Sequence, residues 1–431
     1  MLTAPAPLAT TATDLKNGTC DLLSYIDKVC QRIDSVEPQI HALLPEADRH
    51  TRLIGEATAL QARFPNAADR PPLYGILLGV KDLFSSEGFA TRAGSQLPAE
   101  LFAGPEAACV TRLRNAGALI VGKTITAEFA YVEPGPTRNP HNLQHTPGGS
   151  SSGSAAAVAA GFCPVALGTQ TSGSVIRPAA FCGIVGFKPS YGRIPASGLV
   201  LCAPSLDTVG FFTQDIDGIA VVAPLLCGQW QNIEVTNKPV LGVPDGPYLA
   251  KASPESLQAF DTQLARLEQA GYTVRHVPVM HNIGTIYHQH MRLVFAEMAQ
   301  QHRTWFAQFE TLYRPRTVSA IHAGQLVSAE ELAAARAGRS KLRRALEGAM
   351  VQYGIDLWMC PAAPGPAPEE ISTTGDPIMN LPWTYAGMPA MTIPVGCAAN
   401  GLPLGLQLIG AYMADEKLVA WTRPLSQIFK H

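Results

Sequence analysis

The sequence predicts an α/β protein, a single large domain spanning 1–431 with a central mixed β-sheet covered by helices on both faces. Three observations carry this expectation. Short apolar runs alternate with helical patterns along most of the chain, the arrangement that strands and their connecting helices take in a covered sheet. The 431 residues are 47% hydrophobic and only 15% charged, against roughly 25% charged in average usage, which leaves ample apolar surface for a thick core. No internal repeat, low-complexity tract or charged linker divides the chain.

The elements follow in order. Over 22–36, Leu22, Leu23, Ile26, Val29, Cys30, Ile33 and Val36 fall at helical spacing, and the helix is expected to end before Pro38. Residues 75–80 (GILLGV) read as a buried strand that delivers Lys81 at its end. A helix near 105–116 precedes a strand at 118–121, and a helix over 151–160 (SSGSAAAVAA) precedes one at 164–167. Further strands are expected at 183–187 and 240–243. Ser253 and Pro254 form an N-cap and first-turn pair that starts a helix. Helices near 286–310 and 328–352 precede strands at 355–359, 390–394 and 404–409. The stretch 230–350 is richer in helix and poorer in glycine than its surroundings, and is expected to be the most independent segment.

Composition excludes several function classes. A net charge of −2 gives no field to gather nucleic acid or an anionic membrane. The nine cysteines contain no CxxC pair, so neither a disulfide framework nor a zinc site is signalled, and buried free thiols in a reducing compartment are expected. The first residues, MLTAPAPLATTATDLK, lack a basic and then apolar signal pattern, and the apolar run 155–167 is broken by Gly161 and Pro164. A cytoplasmic protein acting on a small molecule is the expectation. The low charge also points to a subunit interface, hence a homo-oligomer, most simply a dimer.

The informative region holds two clusters of glycine and hydroxyl residues, Gly148-Gly-Ser-Ser-Ser-Gly153 and Thr169-Gln-Thr-Ser-Gly-Ser174. Neither phosphate-loop pattern, GxGxxG or GxxxxGK[ST], is present. The run 149–153 does satisfy G-x-S-x-G with Ser151 in the elbow position. That reading needs an acid and then a histidine downstream, and no histidine stands in a context that singles it out. His276, His281, His288, His290 and His302 come without an HExxH pattern, so they read as solvated or packed side chains and not as metal ligands.

PGGSSSGSAAAVAAG followed by GTQTSGSVIRPAAFCGIVGFKP closely resembles the core of the amidase signature family. That family includes bacterial amidases, malonamidase, carboxybiuret hydrolase, fatty acid amide hydrolase and the A-type component of the glutamyl-tRNA amidotransferase. The likeness extends to GILLGVKDLFSSEGFATRAGS (75–95), VTRLRNAGALIVGKT (110–124), TRNPHN (137–142) and GLPLGLQLIG (401–410). It covers a core of 20–215 and 355–425 and leaves 230–350 variable. The resemblance implies a catalytic triad of Ser174 as nucleophile, Ser150 as bridging serine on a cis peptide, and Lys81 as base, with no metal and no cofactor.

The chemistry explains why such residues are needed. An amide resists water, so its cleavage calls for an activated nucleophile and a stabiliser of the developing oxyanion. Lysine can accept the serine proton only when neutral, and burial without a carboxylate partner lowers its pKa from about 10.4. Ser150 would relay the proton between Lys81 and Ser174 and return it to the leaving nitrogen. The turn Thr171-Ser172-Gly173-Ser174 would supply backbone N–H donors as the oxyanion hole.

Some residues depart from the commonest pattern, GTDTGGSIR. Gln170 stands in place of aspartate, Ser172 in place of glycine, and the arginine lies three residues after Ser174 instead of two, at Arg177, with Ile176 before it. Malonamidase and carboxybiuret hydrolase look similar in this variant. If the chain takes a helical turn after Ser174, Arg177 lies on the nucleophile's face, where its planar fork suits a substrate carboxylate. The other reading is that Arg177 ties down a neighbouring loop. The expected activity is hydrolysis of a small linear amide. The alternatives are an amidotransferase A-type subunit, which takes ammonia from glutamine with the help of an accessory subunit, and a catalytically silent binding subunit.

Overall fold

The computed structural model describes residues 1–429, and within them ten strands form one sheet. In chain order the strands are β1 (Leu77–Lys81), β2 (Leu119–Thr124), β3 (Val165–Gln170), β4 (Val185–Lys188) and β5 (Thr208–Thr213). They continue with β6 (Leu241–Asp245), β7 (Val274–Pro278), β8 (Leu357–Pro361), β9 (Ala390–Cys397) and β10 (Pro403–Ile409). Across the sheet the order is β2-β1-β3-β5-β4-β9-β10-β8-β6-β7. Both ends are parallel, β2-β1-β3 and β8-β6-β7, and the middle strands pair antiparallel. Every residue of β1 to β5 and of β8 is buried, so helices cover both faces, as the alternating pattern predicts. The outer strand β7 instead exposes Arg275 and His276, the charged surface that discourages further pairing at a sheet edge.

The expected strands appear with boundaries moved by a few residues. One helix differs more: Leu22–Ile40 runs through Pro38. Pro38 sits in the last turn, so only one hydrogen bond of the helix is lost, and His41 closes the helix in the left-handed conformation. The segment 230–350 adds β6 and β7 to the common sheet and contributes the helices Pro254–Gln269, Ile283–Phe309, Pro315–Gln325 and Ala329–Tyr353. The Ser253 cap is present, its side chain accepting from Ser256 N. Among the described residues no helix is long and apolar enough to cross a membrane.

The helix Ser152–Ala159 places the first hydroxyl cluster. It consists of small residues all round and is buried at every position, which lets it lie close against β1, β2, β3 and β5. At Gly153 a Cβ would fall 2.2 Å from Ala42 O and 2.4 Å from Ile125 N, so only glycine permits this approach. Gly153→Ala is therefore expected to push the helix off the sheet at a cost of roughly 1–3 kcal/mol. The check is a denaturant melt; an unchanged midpoint would mean that the contact relaxes freely.

Candidate active site

β1 is an unbroken apolar run, and it carries Lys81 into the interior without exposing any of its side chain. There the Lys81 Nζ meets three hydroxyls, Ser150 Oγ at 2.9 Å, Ser151 Oγ at 2.9 Å and Thr169 Oγ1 at 2.8 Å. Among the described residues no carboxylate forms an ion pair with it. The adjacent Asp82 is paired instead with Lys123, Nζ to Oδ1 at 3.0 Å, and Lys123 also donates to Phe84 O and Thr91 Oγ1. Burial accordingly pulls the Lys81 pKa down to about 7, with Asp207 and Cys202 acting in the opposite direction.

The three hydroxyls are not equivalent. Ser151 Oγ is fully engaged, accepting from Lys81 and Thr169 N and donating to Thr169 O. Ser150 follows a cis peptide bond from Gly149, and among the described residues its hydroxyl has no partner other than Lys81. It does not cap the following helix, which starts at Ser152 without a side-chain cap. The elbow reading of Ser151 therefore loses its footing: that side chain is wholly buried and paired with a lysine, not a histidine.

Residues 171–174 form the turn between β3 and the helix Ile176–Phe181. Among the described residues no acceptor engages the backbone N–H groups of Thr171, Ser172, Gly173 or Ser174. The turn is held from outside. Gln170 Oε1 accepts from Val175 N (2.8 Å) and Ile176 N (3.0 Å), and its Nε2 donates to Thr384 Oγ1 at 2.9 Å. Thr384 in turn donates to Ser172 O at 2.7 Å. Thr171 Oγ1 donates to Asp207 Oδ1 at 2.5 Å, while Asp207 Oδ2 accepts from Cys202 N and Ala203 N. Burial pushes the Asp207 carboxyl up to about 6. Ser172 Oγ lies 2.8 Å from His290 Nε2. None of these outside supports, Gln170 apart, stood out in the sequence.

A cavity of about 150 Å³ opens on this turn, lined by Thr171, Ser172, Ser174, Arg177 and Cys202, with Tyr131, Tyr287, Met291 and Val294 among its walls. The Ser174 hydroxyl makes no hydrogen bond among the described residues, to Ser150 or to any other group. Arg177 N bonds to Gly173 O at 3.0 Å, the helical turn expected after Ser174. The guanidinium is 3% exposed; Nη2 donates to Gly149 O at 2.6 Å, and Nε and Nη1 are enclosed without a partner. Burial lowers its pKa to about 10, against the opposing charge of Asp376. Arg177 thus ties down the Gly149 loop, lines the cavity and keeps two enclosed donors without a partner among the described residues. Of the histidine run, His276, His281 and His288 are exposed and His290 and His302 are buried. All nine cysteines are free thiols.

The family model for amidases matches residues 24–419. The chain belongs to the amidase family. A glutamyl-tRNA(Gln) amidotransferase component, the A-type one from Roseiflexus sp. strain RS-1, is 33% identical to this amidase, over 94% of its chain and 92% of the relative. A crystal structure described as an amidase superposes with a TM-score of 0.89 at 32% identity, covering 99% of this chain and 100% of the other. The peptide amidase of Stenotrophomonas maltophilia superposes at 0.82 with 25% identity, covering 99% and 97%. These comparisons support an amidase acting on a carbon–nitrogen bond.

The lysine electrostatics can be read directly. Below about pH 7 Lys81 is charged and above it neutral, whereas the unfolded chain keeps the proton up to its ordinary value of 10.5. The folded amidase binds fewer protons in that window, so this group's contribution to stability rises with pH across it. In ¹⁵N-lysine NMR, one Nζ resonance titrating near 7 should vanish in Lys81→Met. Lys188, also buried and pulled down to about 7, should supply a second that persists. A Lys81 midpoint above 9 would contradict the electrostatic account.

Proposed function

We propose that this chain hydrolyses the C–N bond of a small, carboxylate-bearing amide through an acyl-serine intermediate on Ser174. The observation that carries the proposal is the buried Lys81 with its hydroxyl set, together with a cavity lined by both Ser174 and Arg177.

In this mechanism Ser174 Oγ attacks the amide carbonyl. Its proton passes to Ser150 Oγ as the Ser150 proton passes to neutral Lys81. The Ser150–Ser174 link is the one that substrate binding completes, since hydrogen bonds of this kind often close only in the bound state. The oxyanion is received by the free N–H groups of 171–174, each such donor being worth about 10²–10³ in rate. Collapse breaks the C–N bond, and the proton returns through Ser150 to the leaving nitrogen, which departs as ammonia or an amine. Water then attacks the ester by the same route and frees the acid.

A second reading is supported by the 33% identity to the amidotransferase component: a glutamine-dependent role that needs an accessory partner. It predicts glutamine hydrolysis only when partner proteins are added.

Two experiments bear on the proposal. With a slow amide substrate, mass spectrometry should find the acyl group on the Ser174 peptide, and Ser174→Ala should retain less than about a thousandth of the activity. Acyl mass on Ser151 would sink the mechanism. Arg177→Ala should cost malonamic acid, a small amide with a carboxylate on its acyl side, roughly 10–100-fold in kcat/KM. Propionamide, which lacks the carboxylate, should lose far less. Equal losses, with the fold intact, would leave Arg177 with the loop-holding role alone.

A further inference from the structure

Ser172 stands where the commonest family pattern has glycine, and its side chain is the one polar group of the turn that a helix from the 230–350 segment reaches out to hold. His290 comes from the helix Ile283–Phe309, has no exposed surface, and sets Nε2 2.8 Å from Ser172 Oγ. Its other nitrogen, Nδ1, is enclosed without a partner. The ring packs edge-on to Tyr385, with centroids 5.8 Å apart. Burial, with the charge of Arg339 behind it, drives the His290 pKa down to about 3, so the imidazole is neutral and carries one N–H.

That single proton decides the direction of the contact. Placed on Nδ1 it would be a buried donor with no acceptor, the kind of orphan that folded proteins avoid. Placed on Nε2 it is used in the 2.8 Å contact, and only a ring lone pair is left unmatched. His290 is then the donor and Ser172 Oγ the acceptor. Among the described residues the Ser172 hydroxyl proton has no acceptor of its own, and Ser172 is the partly exposed residue of the turn, on the cavity wall. The same cavity of about 150 Å³ carries Ser174 and Arg177 beside Ser172 on its wall.

We propose that Ser172, its oxygen held by His290, is a specificity-determining donor that joins Arg177 in reading the carboxylate of the substrate. In malonamic acid the only acceptors are the scissile carbonyl and the carboxylate. In the proposed mechanism the backbone N–H groups of 171–174, unpaired among the described residues, receive the first, which leaves the second for Arg177 and the Ser172 hydroxyl. The inference rests on the proposed hydrolysis of carboxylate-bearing amides and adds a neutral donor to the guanidinium. His290 acts only through Ser172 and is a positioning residue.

The test is the preference of the purified enzyme for malonamic acid over propionamide, as a ratio of kcat/KM. Ser172→Gly and Ser172→Ala are expected to lower that ratio about tenfold, with the malonamic acid KM rising by more than kcat falls. Ser172→Thr, which keeps the hydroxyl, should restore most of it. His290→Leu should lower the ratio in the wild-type background and change it no further when combined with Ser172→Gly, because the two act as one unit. Thermal melts of each variant show whether the fold is kept, and Ser172→Ala carries the test if Ser172→Gly loosens the turn. A ratio unchanged in both hydroxyl-free variants overturns the inference, as does a His290→Leu effect that simply adds to that of Ser172→Gly. A wild-type enzyme without preference for malonamic acid would instead overturn the parent proposal, and the two failures are thereby distinguished.

Discussion

A buried amine surrounded by hydroxyls and kept apart from carboxylates is the constraint on which the rest of this site depends. A charged Lys81 can donate to Ser150, Ser151 and Thr169 together; a neutral one must accept from one of them. Ser151 has its proton committed to Thr169 O, so the exchangeable proton lies with the other two. The neighbouring sequence contains an obvious hazard in Asp82, one residue along from the amine. It is disarmed because the chain turns where β1 ends and Asp82 meets Lys123 of β2, which takes its charge. Breaking such a buried pair from one side costs about 3–5 kcal/mol. The Asp82–Lys123 pair therefore serves two ends, satisfying a buried carboxylate and keeping its charge from holding a proton on Lys81.

Much of this was legible from the residues alone, because it is local. The run that ends in Lys81 is apolar at every position, the mark of a strand covered on both faces. The two hydroxyl clusters sit beside a strand and a helix whose composition is as plain. What escaped is of two kinds. β5 carries no such signal because Thr208–Thr213, buried at all positions and flanked by antiparallel neighbours, has no alternation and is interrupted by Gly210, even though Pro204-Ser-Leu-Asp207 marks a turn before it. The supports of the 171–174 turn escape because each comes from far along the chain. Thr384, Asp207 and His290 carry no pattern of their own, and His290 lies in a run of histidines that reads as solvated or packed side chains without a role. Pro38 misled for the opposite reason. A local rule that usually ends helices fails when the proline falls in the final turn.

Gln170 is instructive, since the commonest pattern places aspartate there. Both side chains can accept the two N–H groups that open the helix Ile176–Phe181, and Gln170 does so at 2.8 and 3.0 Å. Only an amide can also donate, and the bond to Thr384 Oγ1 uses that capacity to join the turn to the helix Leu381–Ala386. The exchange also removes a formal negative charge from the end of β3, the strand that supplies Thr169 to Lys81. Asp207, itself raised to about 6 by burial, remains the carboxylate whose charge acts on the lysine. A neutral residue at 170 is thus consistent with a lysine held near neutrality.

The chemical groups come from the sheet and its adjoining turns, whereas one wall of the cavity comes from the helix Ile283–Phe309, in the segment that carries none of the family's motifs. Separating the two lets wall side chains such as Tyr287, Met291 and Val294 differ without moving the strands that hold Lys81 and Ser174. The separation would be of little use if the helix floated, because a wall displaced by an ångström no longer selects. Two polar contacts fix it. His290 reaches Ser172, and Glu297, seven residues on and so on the same face of the helix, accepts from Ser205, at 2.8 Å from its N and 2.5 Å from its Oγ. Val294 lies between them on that face and lines the cavity. The variable segment is therefore pinned to the core on both sides of the residue that it presents to the ligand, and one pin is the hydroxyl assigned to substrate recognition. Under the proposed role of Ser172, selectivity and anchoring share an atom, and the buried His290 behind it serves both.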